Sequence, residues 1–247
     1  MGIPILILGE SGTGKSSSLR NFKADEAALV NVVGKPLPFR GKFLETINTD
    51  SYRKIKQFAK EVKANVVIID DAQYLMANEF MRRSSERGYD KFTEIAVNFW
   101  DLIQLVKELP DEKIVVFMAH IDRDTNGNEK IKTIGKLLDE KITVEGLFTI
   151  VLKTNVSDGK FSFLTQNSGH DTVKSPIGLF SSVEIDNDLK AVVDAVRDYY
   201  GLTIDYDVVA QILNGKELPF YTENLKDQDE TEKQEEQPRN IRVRRTN

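Results

Sequence analysis

The chain of 247 residues is 40% hydrophobic and 30% charged, with a formal net charge of −5. That allows one domain plus an appendage, or two small domains, with a sizeable core. The lack of cysteine excludes disulfides, thiolate metal sites and a cysteine nucleophile, and two histidines argue against a histidine-built zinc site.

Taken in chain order, Ile3–Leu8 is a continuous apolar run. That is the pattern of a strand buried on both faces, hence of a parallel sheet covered by helices. It reads as a strand and not as a signal peptide. No apolar run approaches the ~20 residues that span a bilayer, so a cytoplasmic protein without membrane contact is expected. The net charge argues against a broadly basic surface but leaves room for a local basic groove. A glycine-rich stretch follows the first strand, and then Ser16–Phe22, which is able to form a helix. Ala28–Val33 reads as a second buried strand. Ser51–Val62 has Ile55, Phe58 and Val62 at helical spacing. Val66–Ile69 and Ile114–Ala119 are two further buried strands. Between them, Phe92–Val106 carries a stripe of Phe92, Ile95, Ala96, Phe99, Ile103 and Val106, with Trp100 on it as a core residue. Phe148–Thr154 and Lys160–Thr165 form a hairpin about Ser157-Asp158-Gly159. A last helix, about 188–200, starts at Asp or Asn caps and stops at Gly201.

Strands alternating with helices predict an α/β fold over residues 1–220: a mostly parallel sheet flanked by helices, with a late antiparallel strand pair. Residues 221–247 change character. From 223 onward there is no glycine and no aromatic residue, and the only aliphatic ones are Leu225, Ile241 and Val243. The stretch is acidic over Asp227–Glu236 and basic over Arg239–Arg245. It cannot bury enough apolar area to offset chain entropy, so a disordered tail is expected.

The strongest motif is Gly9-Glu10-Ser11-Gly12-Thr13-Gly14-Lys15-Ser16. It matches the Walker A phosphate loop GxxxxGK[ST] and stands where the mechanism needs it, after a buried strand and before a candidate helix. The backbone from Gly9 to Ser17 is the expected nucleotide cradle, with Lys15 reaching the β- and γ-phosphates. The Ser16 hydroxyl would hold Mg²⁺, and the helix N-terminus would add its dipole. ATP and Mg²⁺ are the cofactors this implies. The Val66–Asp71 run, an apolar strand ending in acids, is the Walker B pattern. Asp70 would join Ser16 at the Mg²⁺, and Asp71 would orient the attacking water. Alternatively, Asp71 caps a helix starting near Gln73. His120 ends Ile114–Ala119. In many P-loop ATPases a strand between the two Walker strands ends in a polar γ-phosphate sensor. His120 fits that place, or is an ordinary structural histidine.

The segments GESGTGKSSSLRNF, NVVGKPLPF, VVIIDDAQYLMANEF, GYDKFTEIA and TVKSPIGLF together resemble phage-encoded RecA-like ATPases of the Sak-four type, which are single-strand annealing and recombination proteins. The resemblance runs from residue 3 to about 201. The Walker motifs are common to P-loop ATPases, whereas the combination GKPLPF, DDAQYLM and KSPIGLF is more specific. It implies a RecA-like core, DNA-stimulated ATP hydrolysis and single-stranded DNA as ligand. It also implies a homo-oligomer, ring or filament, with ATP at subunit interfaces, and a single-strand DNA-binding protein or other replication proteins as further partners. Two departures stand out. RecA-type enzymes usually carry a catalytic glutamate just after the second strand, where this chain has Gly34-Lys35-Pro36-Leu37-Pro38; Asp71 is the candidate substitute. The extra terminal domains that full recombinases use for duplex capture have no counterpart, so annealing is expected over strand exchange.

In RecA-like folds, DNA-binding loops follow the Walker B and sensor strands, here about Met76–Lys91 and Asp122–Lys136. The first holds Arg82, Arg83, Arg87 and Lys91 with Phe80, Tyr89 and Phe92 interleaved, cations for phosphates beside rings for stacking. A solvated helix face with one core-facing stripe would present the same residues. The second holds the Asn126-Gly127 turn signal, then Lys130, Lys132 and Lys136, which a plain hairpin explains as well. Lys174 is the candidate cation supplied to a neighbour's ATP site, with Lys136 as runner-up; a surface lysine is the alternative for each. Two other functions fit the motifs. One is an AAA+-like helicase loader or motor accessory. The other is an ATP-gated DNA-binding scaffold with little turnover.

Overall fold

The apolar runs form strands with no polar face, and such strands must be covered on both sides. In chain order the strands are β1 (Ile3–Leu8), β2 (Ala28–Asn31), β3 (Glu45–Asn48), β4 (Val66–Asp70), β5 (Ile114–Ala119), β6 (Ile121–Arg123), β7 (Glu129–Ile131), β8 (Ile150–Ser157), β9 (Lys160–Leu164) and β10 (Glu184–Asp186). Eight make one sheet in the order β10-β9-β8-β1-β5-β4-β2-β3, and β6 pairs with β7 in a separate antiparallel hairpin. From β8 to β3 every pairing is parallel; β9 and β10 add the antiparallel edge. This is a computed structural model that describes residues 1–202, which form one compact unit. The domain boundary expected near 220 and the tail lie outside the described residues.

Strand alternation divides the core into two layers. Leu6, Val67, Ile69, Val115 and Phe117 point to the face covered by α1 (Tyr52–Glu61), α2 (Gln73–Arg82) and α3 (Asp90–Leu105). Ile5, Ile7, Ile68, Val116 and Met118 point to the other face, covered by α4 (Leu189–Tyr199) and a short 3₁₀ turn, Ser16–Asn21. Every residue of β4 and β5 is buried, as expected of strands covered on both sides. The β8–β9 hairpin closes through Asp158 and Gly159, both left-handed at φ 51° and 76°, the requirement of a type I′ turn. Asp188 caps α4 by accepting from the Lys190 and Ala191 amides, and Gly201 follows the helix at φ 64°. Among the described residues no helix is long and apolar enough to cross a membrane.

Three expectations need correction. Most of the segment Met76–Lys91 is not a loop: α2 runs to Arg82 and α3 starts at Asp90, which leaves only 83–89 between them. Trp100 is not core but 38% exposed, because the buried stripe of α3 passes through Ile95, Phe99, Leu102 and Ile103 and leaves it on the flank. Ser16–Phe22 is a short 3₁₀ turn and not an α-helix, so little axial dipole is available there. The short edge strand β3, with its alternating half-buried pattern, carries no apolar run and is held by pairing to β2.

Candidate functional site: a glycine loop at the carboxyl edge of the sheet

The parallel strands β1, β4 and β5 end at one edge of the sheet, and each delivers its next residues there. β5 lies between β1 and β4, pairing with both. After β1 the chain turns through Gly12 (φ 79°) and Gly14 (φ 98°), conformations that side-chain-bearing residues seldom adopt. Gly9 is required for a different reason: a Cβ there would run into the Thr154 hydroxyl and lie 2.8 Å from that of Thr13. Those two hydroxyls are 2.6 Å apart and tie the loop to β8. The result is a cavity of about 270 Å³ whose lining includes Ser11, Gly12, Gly14, Lys15, Ser16 and Ser17. Gly9, Glu10 and Thr13, expected in the same cradle, instead shape the loop from behind. The Glu10 carboxylate pairs with Arg123 of β6 at 2.8 Å, while its carbonyl accepts from Thr13 and Lys15.

Lys15 is buried, and its Nζ donates to the Gly9 and Glu10 carbonyls at 2.9 and 2.8 Å. Burial pulls its pKa below the usual lysine value, against the attraction of Asp71 and Asp70. The Ser16 hydroxyl donates to both Asp70 oxygens, at 3.0 and 2.9 Å. The expected Mg²⁺ pair is thus assembled from residues 54 positions apart. Burial, and then the neighbouring Asp71 charge, push the Asp70 carboxyl up to about 6. A hard oxygen-loving cation beside the pair would relieve both effects.

Asp71 turns sharply out of β4 at φ 59° and is one of two non-glycine residues with positive φ among those described. Its carboxylate does not cap α2, whose first turn has no side-chain cap. It reaches His120 Nε2 at 3.4 Å and Lys35 Nζ at 3.4 Å. Burial raises its pKa, but the His120 hydrogen bond and the Lys35 charge outweigh that and hold it below the ordinary carboxylate value. Adjacent acids are therefore driven in opposite directions by their surroundings. His120 lines the cavity at the end of β5, edge-on to Tyr74. Its backbone N–H is held by the Gln73 side chain, and its carbonyl accepts from the Lys132 amide.

The other expected residues are scattered. Lys174 bridges to Val151 at the edge of β8 through its backbone and does not line the cavity of its own chain. Arg82 pairs with Asp50, and Arg83 is gripped by Glu79, Glu86 and Glu94. Lys91 is buried, donates to the Arg83 and Glu86 carbonyls and lies against Phe80 and Phe92, whose rings pack together. Arg82 is exposed but paired, which leaves Arg87 and Tyr89 as the exposed members of the first group whose side chains have no partner among the described residues; Tyr89 is 87% exposed. Lys132 is exposed just after the β6–β7 hairpin. Lys35, Asn31, Thr154 and Phe161 were not legible as site residues. Only Asn31 and Lys35 stood in a segment with a signal, NVVGKPLPF. A larger cleft, about 610 Å³, opens near the start of β4 and beside α4, with Lys190 paired to Asp194 and Glu26. It holds neither a glycine loop nor the paired acids.

No protein-family model matches the chain, and a comparison with curated proteins returns no match.

Proposed function

We propose that the chain is a RecA-like P-loop ATPase that binds ATP with Mg²⁺, hydrolyses it, and couples turnover to single-stranded DNA in annealing, recombination or replication, as a homo-oligomer. The nucleotide part is carried by one observation: the Ser16 hydroxyl lies on both oxygens of Asp70, inside a loop turned by Gly12 and Gly14. The donor set suits Mg²⁺, which takes one or two protein oxygens and completes its shell with phosphates and water. When bound, Mg²⁺ neutralises charge on the phosphates. Among the described residues Lys15 has only carbonyl partners for its charge and would exchange them for phosphate oxygens. Asp71, held ionised by His120 and Lys35, is the group able to accept a hydrogen bond from an attacking water. His120 supplies a donor on the same side.

The RecA-like part is supported by the sheet order, with β5 between the two Walker strands and ending in His120. The DNA part is supported by the motif resemblance, by exposed Arg87 and Tyr89, and by Lys132, whose amide is bonded to the His120 carbonyl. A second reading, an ATP-gated scaffold with little turnover, is favoured by one feature. After β2, where a glutamate would act, the chain has Lys35, and it holds Asp71.

The test is ATP turnover with and without poly-dT at stated salt, for wild type, Lys15→Ala and Asp70→Ala. Turnover stimulated by poly-dT and abolished in both variants is expected. ATP binding without turnover would favour the scaffold, and undiminished hydrolysis in Lys15→Ala would sink the phosphate-loop assignment.

A further inference from the structure

Phe161 lies in β9, where alternation gives it the same face as Phe163. Phe163 is fully buried in the layer beneath α4. Phe161 is one repeat further along, beyond the end of that core, 47% exposed and lining the nucleotide cavity. Among the described residues it is the one aromatic ring of that lining on its side of β1, the His120 imidazole standing at the end of β5 on the other; the rest is loop backbone, small polar groups, prolines and charges.

Sheet order says which end of a nucleotide it would meet. The acids, His120 and Lys35 stand on β4, β5 and beyond β2, on one side of β1. β9 is two strands away on the other side, about 10 Å at ordinary strand spacing. A triphosphate lying across the loop with its γ end toward Asp71 therefore carries its nucleoside end toward Phe161. The ring is also tight against the loop: a Cβ on Gly14 would lie 2.8 Å from it and 3.2 Å from Asn187 Nδ2. Asn187 is 2% exposed, its carbonyl is held by Arg20, and its Nδ2 has no acceptor among the described residues. A buried donor without a partner is uncommon and costly.

We propose that Phe161 is the platform on which the nucleobase stacks, with the Asn187 amide as an unsatisfied donor beside it. This rests on the nucleotide reading above and names the half of the ligand that the Walker motifs do not address. Every base offers a flat π face, so the site grips a nucleobase through stacking and needs no base-specific hydrogen bond.

The experiment uses the full chain with Mg²⁺ and compares calorimetric titrations with ATP and with inorganic tripolyphosphate, which has no base. Wild type, Phe161→Ala, Phe161→Tyr and Lys15→Ala are measured. Phe161→Ala should weaken ATP about tenfold to a hundredfold, the range for loss of one base–ring stack, and leave tripolyphosphate unchanged. Phe161→Tyr, which keeps the ring, should bind ATP close to wild type. Equal ATP affinity in wild type and Phe161→Ala would overturn the stacking role while leaving the loop assignment intact. So would an equal loss for both ligands, because the ring would then only buttress Gly14. Binding that survives in Lys15→Ala, or absent binding of both ligands to wild type, would instead remove the nucleotide reading on which the proposal stands.

Discussion

Asp71 joins backbone strain to chemistry, and replacing it separates the two. A left-handed conformation costs a residue with a Cβ roughly 1–2 kcal/mol, and Asp71 sits at φ 59°. Asp71→Gly removes that strain. Against it stand the greater freedom of glycine in the unfolded chain, roughly 0.5–1 kcal/mol, a long hydrogen bond from His120 and a loose ion pair to Lys35, both at 3.4 Å, each about 0.2–1 kcal/mol. The substitution also takes a negative charge from beside buried Asp70. The sum is near zero, so Asp71→Gly should melt within a few degrees of wild type. Asp71→Ala keeps the strain and gives up the same two contacts, and should be about 1 kcal/mol less stable than Asp71→Gly. For a unit of this size that is about 2–4 °C in melting temperature. Both variants should lose turnover by at least ~10²-fold, the lower range for a positioned base. Thermal unfolding by circular dichroism and steady-state ATP hydrolysis at saturating Mg²⁺ and ATP measure the two effects on the same samples. An alanine variant as stable as the glycine variant would refute the strain argument. Near-normal turnover in either would assign water orientation elsewhere.

Two further predictions concern assembly and DNA. If Lys174 serves a neighbouring subunit, Lys174→Ala should bind ATP normally yet hydrolyse it poorly. Mixing it with Lys15→Ala should restore part of the activity, since each subunit supplies what the other lacks; no rescue in co-assembled mixtures would count against the trans role. For DNA, Tyr89→Ala should weaken poly-dT binding at every salt concentration by roughly 1–3 kcal/mol. Arg87→Ala should chiefly reduce the salt slope, by roughly 0.7 for each phosphate that is no longer neutralised. Arg82→Ala should do less than either to DNA affinity, because its guanidinium is engaged by Asp50. Anisotropy titrations across salt separate these, and a dominant effect of Arg82→Ala would reverse the ranking.

Features written in short stretches of chain were legible in the sequence. β1, β4 and β5 are continuous apolar runs, and burial on both faces is the reason for that composition. Asp158-Gly159 allowed one tight turn, and Asp188 and Gly201 marked the ends of α4. The glycine loop after β1 was legible because the left-handed steps at Gly12 and Gly14 demand glycine. What depends on distant residues meeting was not. Nothing local separates an arginine available to a phosphate from Arg82, which Asp50, 32 positions away, holds. The sequence does not decide whether Gly34–Phe39 is a rigid turn or a contact near the nucleotide; parallel pairing of β2 with β4 brings Lys35 to Asp71. Phe161 looked like one more hairpin residue until the sheet set β9 two strands from β1 and its glycine loop. The sequence alone determined the buried strands β1, β2, β4 and β5 and the glycine turns, because those are properties of backbone torsion and side-chain periodicity over a few residues; the short strands β3, β6, β7 and β10 carry no continuous apolar run and were not written there. The tertiary structure decided which charges neutralise one another and which ring faces the cavity, because those follow from strand order, and strand order is set by how the buried layers pack across the whole sheet.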